Sequence, residues 1–307
     1  MDIFLQHLIN GLVLGSIYAL VALGYTMVYG ILELINFAHG EVTMVGAMVA
    51  LAIIGLFSAV PMPGIGVLLL GLAGAVLVCA ALGAIIERVA YRPLRKAPRL
   101  AALITAIGVS IVLQNLAMII WGRQYIAFPP IVTITHYELG GATVTSLQLF
   151  IVALSALAMM ILYWLVQKTK LGRAMRATAQ SAEVAGLMGV NINKIISITF
   201  VIGSVLAAVA GVMVSAYYGL AHYYMGFLLG LKAFTAAVLG GIGSIPGAML
   251  GGLLLGVIES LGAGYIGPMT GGFLGSHYQD VFAFFILILV LTVRPSGLLA
   301  GPSGEKA

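Results

Sequence analysis

Long runs of uninterrupted apolar residues constrain this chain more than anything else in it. They lie at roughly 8–31, 42–60, 65–86, 100–121, 147–166, 195–217, 225–243, 247–266 and 280–293. A helix crosses the ~30 Å hydrocarbon core of a bilayer in ~20 residues, so each run is close to one span in length. The strands of a membrane β-barrel would alternate apolar and polar positions, and these runs do not. Of the 307 residues, 62% are hydrophobic and 7% charged. A soluble fold could not keep so much apolar side chain from water. That excludes a soluble enzyme, a nucleic-acid-binding domain and a disordered scaffold. The expected fold class is an all-α polytopic membrane protein, one transmembrane domain over 1–307 with about 8–10 transmembrane helices. Nine is the favoured count; a re-entrant hairpin within 30–60 or 225–266 would change it.

The basic residues set an expected topology. Arg88, Arg92, Arg95, Lys96 and Arg99 form one cluster, and Lys168, Lys170, Arg173, Arg176 and Lys194 a second. With Arg294 and Lys306, these make twelve of the fourteen Lys and Arg. Such loops are retained on the cytosolic side, so the net charge of +5 reports topology rather than a nucleic-acid partner. Parity is satisfied by two spans between the clusters and four between 194 and 294, with a tight inner turn near Gly243–Gly247. Three spans before Arg88 place the amino terminus outside and the carboxyl terminus in the cytosol. The polar stretches 123–146 and 262–279 then face outward. Met1 to His7 carries Asp2 and no Lys or Arg, unlike the basic head of a cleavable signal peptide, so the first run reads as a retained span. Cys79, the single cysteine, reads as a small packing residue.

Small residues recur every four positions at Gly11 and Gly15, at Gly203, Ala207 and Gly211, at Gly226 and Gly230, and at Gly243, Gly247 and Gly251. This spacing lets helix backbones approach closely in lipid. An internal repeat is a further expectation: GEVTMVGAMVALAIIG (40–55) and GIGSIPGAMLGGLLLG (241–256) share the triplet GAM and both end glycines. Glycine- and proline-interrupted helices in corresponding places of two halves would point to a pathway between them.

The chemistry-bearing residues are few. There is no GxxxxGK[ST] loop, no HExxH and no GxSxG, and the only aspartates are Asp2 and Asp280. An energy-converting or catalytic site on this chain is therefore not expected, nor a metal site. Glu33 to Glu41 interrupts a long apolar stretch with Asn36, His39 and two carboxylates. Such groups are costly at membrane depth unless paired or hydrated. The segment reads either as a broken helix lining a pathway or as a turn at the inner surface, with Glu41 at the start of the next helix. Lys232 and Glu259 sit deep in apolar runs and either snorkel or pair. Tyr217, Tyr218, His222, Tyr223 and Tyr224 suggest an aromatic belt at the outer interface. In the 168–194 loop, Ser181 is placed to cap a short helix, Glu183 suits its first turn, and Gly189 suits its end. Ala182, Ala185 and Met188 would give that helix an apolar edge, for docking or for lying on headgroups.

Five ordered motifs carry a resemblance: INFAHGE (35–41), ERVAYRPLR (87–95), GRAMRATAQSAEVAGLMGVN (172–191), KAFTAAVLGGIGSIPGAMLGG (232–252) and RPSGLLAG (294–301). From about residue 8 to 301 the chain resembles the integral-membrane permease of branched-chain amino acid ABC importers, of the LivH type. The resemblance implies a bacterial cytoplasmic (inner) membrane protein that forms a translocation path with a second, homologous permease. It implies two cytosolic ABC ATPases that hold ATP–Mg, no cofactor on this chain, and a periplasmic or surface-tethered amino-acid-binding protein. It also implies that 172–191 is the coupling segment seated in an ATPase, with Gly172, Arg173, Arg176, Glu183, Ala185, Met188 and Gly189 as candidate contacts. Asn36, His39, Glu41, Lys232 and Glu259 are the candidate pathway residues. The family also contains permeases for urea and short amides, so those substrates, or other amino acids, stay open. The rival class is a proton-coupled carrier that would need a carboxylate such as Glu41 or Glu259.

Overall fold

A computed structural model describes residues 2–57, 63–95, 97–129, 134–271 and 278–299. Among these residues the chain order is helix α1 (Asp2–Leu32), α2 (His39–Phe57), α3 (Gly64–Ile86) continuing as a π-helical turn (Glu87–Tyr91), then α4 (Arg99–Trp121). After α4 come strands β1 (Ile126–Ala127), β2 (His136–Leu139) and β3 (Ala142–Thr145). Helices α5 (Ser146–Lys168), α6 (Lys170–Gln180), α7 (Ala182–Leu187) and α8 (Ile192–Tyr218) follow, then strand β4 (Leu220–Ala221). Helices α9 (Met225–Gly240), α10 (Ile245–Met269) and α11 (Gln279–Val293) complete the bundle.

Among the described residues, seven helices are long and apolar enough to cross a bilayer: α1, α2, α3, α4, α5, α8 and α10. The fold is thus the expected all-α polytopic membrane protein. The two remaining expected spans, 225–243 and 280–293, appear as the shorter helices α9 and α11, each of which at 1.5 Å per residue reaches only about 24 Å or less. The expected outward loop at 262–279 is a second correction, because α10 continues to Met269. That last stretch packs closely on the start of α1: a side chain at Gly264 would run into the His7 ring.

The glycine ladders do what their spacing predicts, except at Gly243, which lies in the turn before α10, where an added Cβ would meet nothing within 4 Å. α1 and α10 cross at Gly11, Gly15, Gly252 and Gly256, where a Cβ at Gly15 would stand 2.7 Å from Leu253 Cα. Gly40 of α2 meets Gly226 and Gly230 of α9, and Gly46 meets Ala208 of α8. α1 runs through the centre, and every residue from Val13 to Val28 is buried. The GAM triplets of the expected repeat both fall in helices that open after a break, but two turns into α2 and in the first turn of α10.

Loop contacts sort the two ends of the bundle. At one end, Arg95 bonds Asn193 and Arg92 bonds Ser197, which puts the 87–95 segment beside the start of α8. Ser244 caps α10 after the turn at Gly241–Gly243, and Leu298 and Leu299 donate to Leu239 and Gly240 at the end of α9. At the other end, β1 pairs with β4, β2 with β3, and Gln6 of α1 bonds Thr143. The described parts of the two basic clusters and residues 294–299 therefore share one face, as parity requires. The start of α1 lies on the opposite face.

Candidate functional site

Helix α2 begins inside the bundle rather than at its surface, with His39 and Glu41 both buried in its first turn. The His39 ring at the start of α2 packs edge-on to Tyr25, with centroids 5.0 Å apart. α1 runs seven residues past that level, about 10 Å, so the chain turns back on itself through residues 33–38. The segment combines the two expectations: it leaves α1 at the exposed Glu33 and re-enters the bundle through the buried Asn36 to restart as a helix at His39. Non-helical backbone is tolerated at that depth because protein surrounds it. Asn36 is buried and accepts from the Tyr91 hydroxyl at 2.9 Å.

Glu41 is 1% exposed. Its Oε1 accepts from Gln114 Nε2 at 2.7 Å and from Ser110 Oγ at 3.2 Å, both midway along α4. Those two donors offset the loss of water around a carboxylate. Gly226, at the start of α9, leaves the space that the other carboxylate oxygen fills. Asn36, His39 and Glu41 thus tie α2 to α1, α3, α4 and α9.

The second cluster settles how Lys232 and Glu259 are accommodated. Lys232 Nζ lies 2.7 Å from Glu259 Oε1 and 2.7 Å from Asp280 Oδ1. The Tyr18 hydroxyl donates to Glu259 Oε1 at 3.2 Å. One ammonium therefore joins α9 to α10 and α11, and Tyr18 adds α1. Lys232 pairs rather than snorkels. Asp280, Tyr18, Ser110 and Gln114 escaped the sequence reading: a Tyr, Ser or Gln in an apolar run looks like packing, and Asp280 looked like the first residue of a span.

Above Lys232 is a cavity of about 300 Å³ that opens toward the strand-bearing face. Tyr125, Tyr218, His222 and Tyr224 wall it, Leu228 and Leu229 form an apolar side, and Tyr18 and Lys232 lie at its floor. His222 stacks on Tyr125 with centroids 4.4 Å apart. Part of the expected aromatic cluster, Tyr218, His222 and Tyr224, lines this cavity. Largely apolar walls with a few convergent polar groups are the usual make-up of a small-molecule site.

On the basic face, Glu87 is fully buried, paired with Arg92 at 2.9 Å and with Arg95, and accepts from Ser197 Oγ at 2.7 Å. Beyond it lie the candidate coupling residues. Ser181 Oγ accepts from Val184 N, and Glu183 lies in the first turn of α7. Gly189 takes a φ of +85°, and Val190 N returns to Ala185 O, the closing bonds of a glycine-terminated helix. The apolar edge is not the expected one. Ala185 is 4% exposed and packs into the chain itself, while Leu187 and Met188 are 82% and 81% exposed. At 100° per residue, Val184, Leu187 and Met188 share the outward side and Ala185 the inward one. Gly172 is enclosed by the carbonyls of Leu165 and Val166, and Arg176 bonds Val166 O. Arg173, Glu183 and Gly189 are exposed.

A close-packed apolar bundle with hydrogen-bonded carboxylates at depth, a cavity on one face and a capped surface helix on the other defines a polytopic membrane protein of the permease type. The chain belongs to the family described as the permease component of the branched-chain amino acid transport system, whose model matches residues 7–291. It is 49% identical over 99% of its length to the high-affinity branched-chain amino acid transport system permease protein LivH of Escherichia coli, covering 97% of that protein. It is 47% identical to the corresponding protein BraD of Pseudomonas aeruginosa, over 99% of this chain and 98% of that one. Among solved structures, PsaBC from Streptococcus pneumoniae in complex with Fab aligns at a TM-score of 0.43 and 14% identity, over 96% and 91% of the two chains; nothing about the fold rests on that likeness.

Proposed function

We propose that this chain is a membrane-spanning permease subunit of an ATP-driven importer for leucine, isoleucine and valine. The near full-length identity to permeases named for branched-chain amino acid transport carries the reading. It works in the bacterial cytoplasmic membrane with a second, related permease, two ABC ATPases that hold ATP–Mg, and an extracytoplasmic amino-acid-binding protein. The basic face is cytosolic and the amino terminus outside, following the retention of Lys and Arg loops in the cytosol. A zwitterion cannot cross hydrocarbon unaided, because both charges would lose their water. The aromatic cavity over Lys232 is the entrance on this chain, and Asn36, His39, Glu41, Lys232 and Glu259 shape the path behind it. Rocking of the bundle, driven by closure of the ATPases, exposes the path to one side and then the other. The exposed edge of α7 receives that motion.

The test is uptake of labelled leucine, isoleucine, valine, urea and glutamate by cells lacking their own branched-chain systems. The cells carry this permease together with a second permease, two ATPases and a binding protein from the same source. ATP-dependent uptake of the three branched-chain amino acids is expected. Accumulation of urea alone, or uptake that follows a proton gradient and persists without ATP, would overturn the reading.

A further inference from the structure

A cavity of about 390 Å³ opens between the end of α3 and the start of α8, lined by Ala84, Ile85, Arg88, Arg92, Lys194 and Ile198 together with Glu87 and Ser197. Its polar side is strongly cationic. Glu87 is its one acidic residue, and that carboxylate is already held by Arg92, Arg95 and Ser197. Arg88 and Lys194 are exposed, and their side chains make no hydrogen bond or ion pair with any described residue. Two uncommitted cations therefore converge on one opening. Its other side is apolar, and an apolar stripe leads away along α3 into the depth of the bilayer: Ile85, Val78 and Leu77 are all exposed large hydrophobics. The charges begin in the π-helical turn at Glu87–Tyr91, which carries Glu87 and Arg88.

We propose that this cavity binds the phosphate headgroup of an anionic phospholipid, with one acyl chain lying along the Ile85–Val78–Leu77 stripe of α3. The combination selects this occupant. A free phosphate would use the cations and leave the stripe bare. A zwitterionic lipid would use the stripe but bring a second cation to a cationic opening. An ATPase surface would meet Arg88 and Lys194 without reaching residues that lie within the hydrocarbon. Basic pockets between transmembrane helices on the cytosolic side recognise anionic headgroups in this way, at about 1 kcal/mol, or fivefold, per Lys or Arg near the surface. The proposal needs only the membrane disposition of the chain, not its substrate.

The test is native mass spectrometry of the full permease complex with phosphatidylglycerol or phosphatidylcholine of matched chains, and with inorganic phosphate alone. Preferential retention of phosphatidylglycerol is expected. Arg88→Gln and Lys194→Gln should each weaken it about fivefold. Lys168→Gln, the same charge loss at the end of α5, should leave it unchanged. A bulky Val78→Trp should weaken phosphatidylglycerol without changing phosphate binding. Equal retention of the two lipids by the wild type, or equal weakening by Lys168→Gln, overturns the site. So does loss of the ATPase subunits with lipid retention intact in Arg88→Gln/Lys194→Gln, which would assign the cations to the ATPase contact.

Discussion

Lys232 of α9 and Glu259 of α10 meet at 2.7 Å in the middle of the bundle. Asp280 holds the same ammonium from α11, so three helices share one cation. Removing one member of a buried pair strands its partner and costs about 3–5 kcal/mol. Lys232→Met strands the buried Glu259 carboxylate, while Asp280, 37% exposed, keeps contact with water; it should be the most damaging change, about 5 kcal/mol. Glu259→Leu leaves Asp280 on Lys232 and should cost about 3 kcal/mol. Because these residues act as one unit, Lys232→Met/Glu259→Leu should lose less than the sum of the two. The fraction of monodisperse protein after heating in detergent gives the ranking. Strict additivity would mean that the contact contributes nothing as a pair.

Glu41 depends on α4 in the same way. Gln114→Leu removes its 2.7 Å donor and leaves a carboxylate at depth with Ser110 alone. A loss of about 2 kcal/mol is expected, the cost of an under-satisfied buried charge. Glu41→Gln in that background should recover much of it, since an amide is cheaper to bury than a carboxylate. Melting of the three proteins decides. No recovery would show that the carboxylate is not what Gln114 serves.

How these sites were legible differs residue by residue. The apolar runs, the glycine spacing and the basic loops each encode one local rule, and all three read through to the bundle. Asn36 and Glu41 were visible because a polar residue in an apolar run is costly. What they bond was not visible, because Tyr91, Gln114 and Ser110 lie 55–73 residues away. The short α9 reads as a full span because its apolar run continues past Gly240 into the turn that opens α10. Ala185 reads as part of an outward edge because sequence gives the period of a helix but not its rotation; Ala185 is small enough to sit against the chain, and the larger Leu187 is left outside.

The sidedness of the loops has a direct check. In a Cys79→Ala background, single cysteines at Tyr137 and Gln180 should react differently with an impermeant thiol reagent on intact cells. Position 137 lies in the strand-bearing face and should label from outside. Position 180, at the end of α6, should label only after the membrane is opened. The reverse pattern would invert the orientation while leaving the fold intact.

The coupling helix offers the sharpest separation of contact from fold. α7 is capped by Ser181 at one end and closed at Gly189 at the other, so its shape is set within this chain. Val184, Leu187 and Met188 remain exposed on one side of it, and three neighbouring apolar side chains outside the bundle are what a partner surface would cover. Leu187→Asp places a charge in that contact without touching the chain's own packing. The expected result is a permease of normal melting behaviour that no longer retains its ATPase subunits, or retains them with at least a tenfold loss of substrate-stimulated ATP hydrolysis, about 1.4 kcal/mol or more. Ala185→Asp should behave differently: it buries a charge against α7's own neighbours, so the local fold loosens first. Limited proteolysis near residue 185 should increase in Ala185→Asp and not in Leu187→Asp. If Leu187→Asp keeps full ATPase retention and stimulation, the transmitting contact lies elsewhere on the basic face. The 87–95 segment, bound through Arg92 to Ser197 and through Arg95 to Asn193, is then the element mechanically joined to α8.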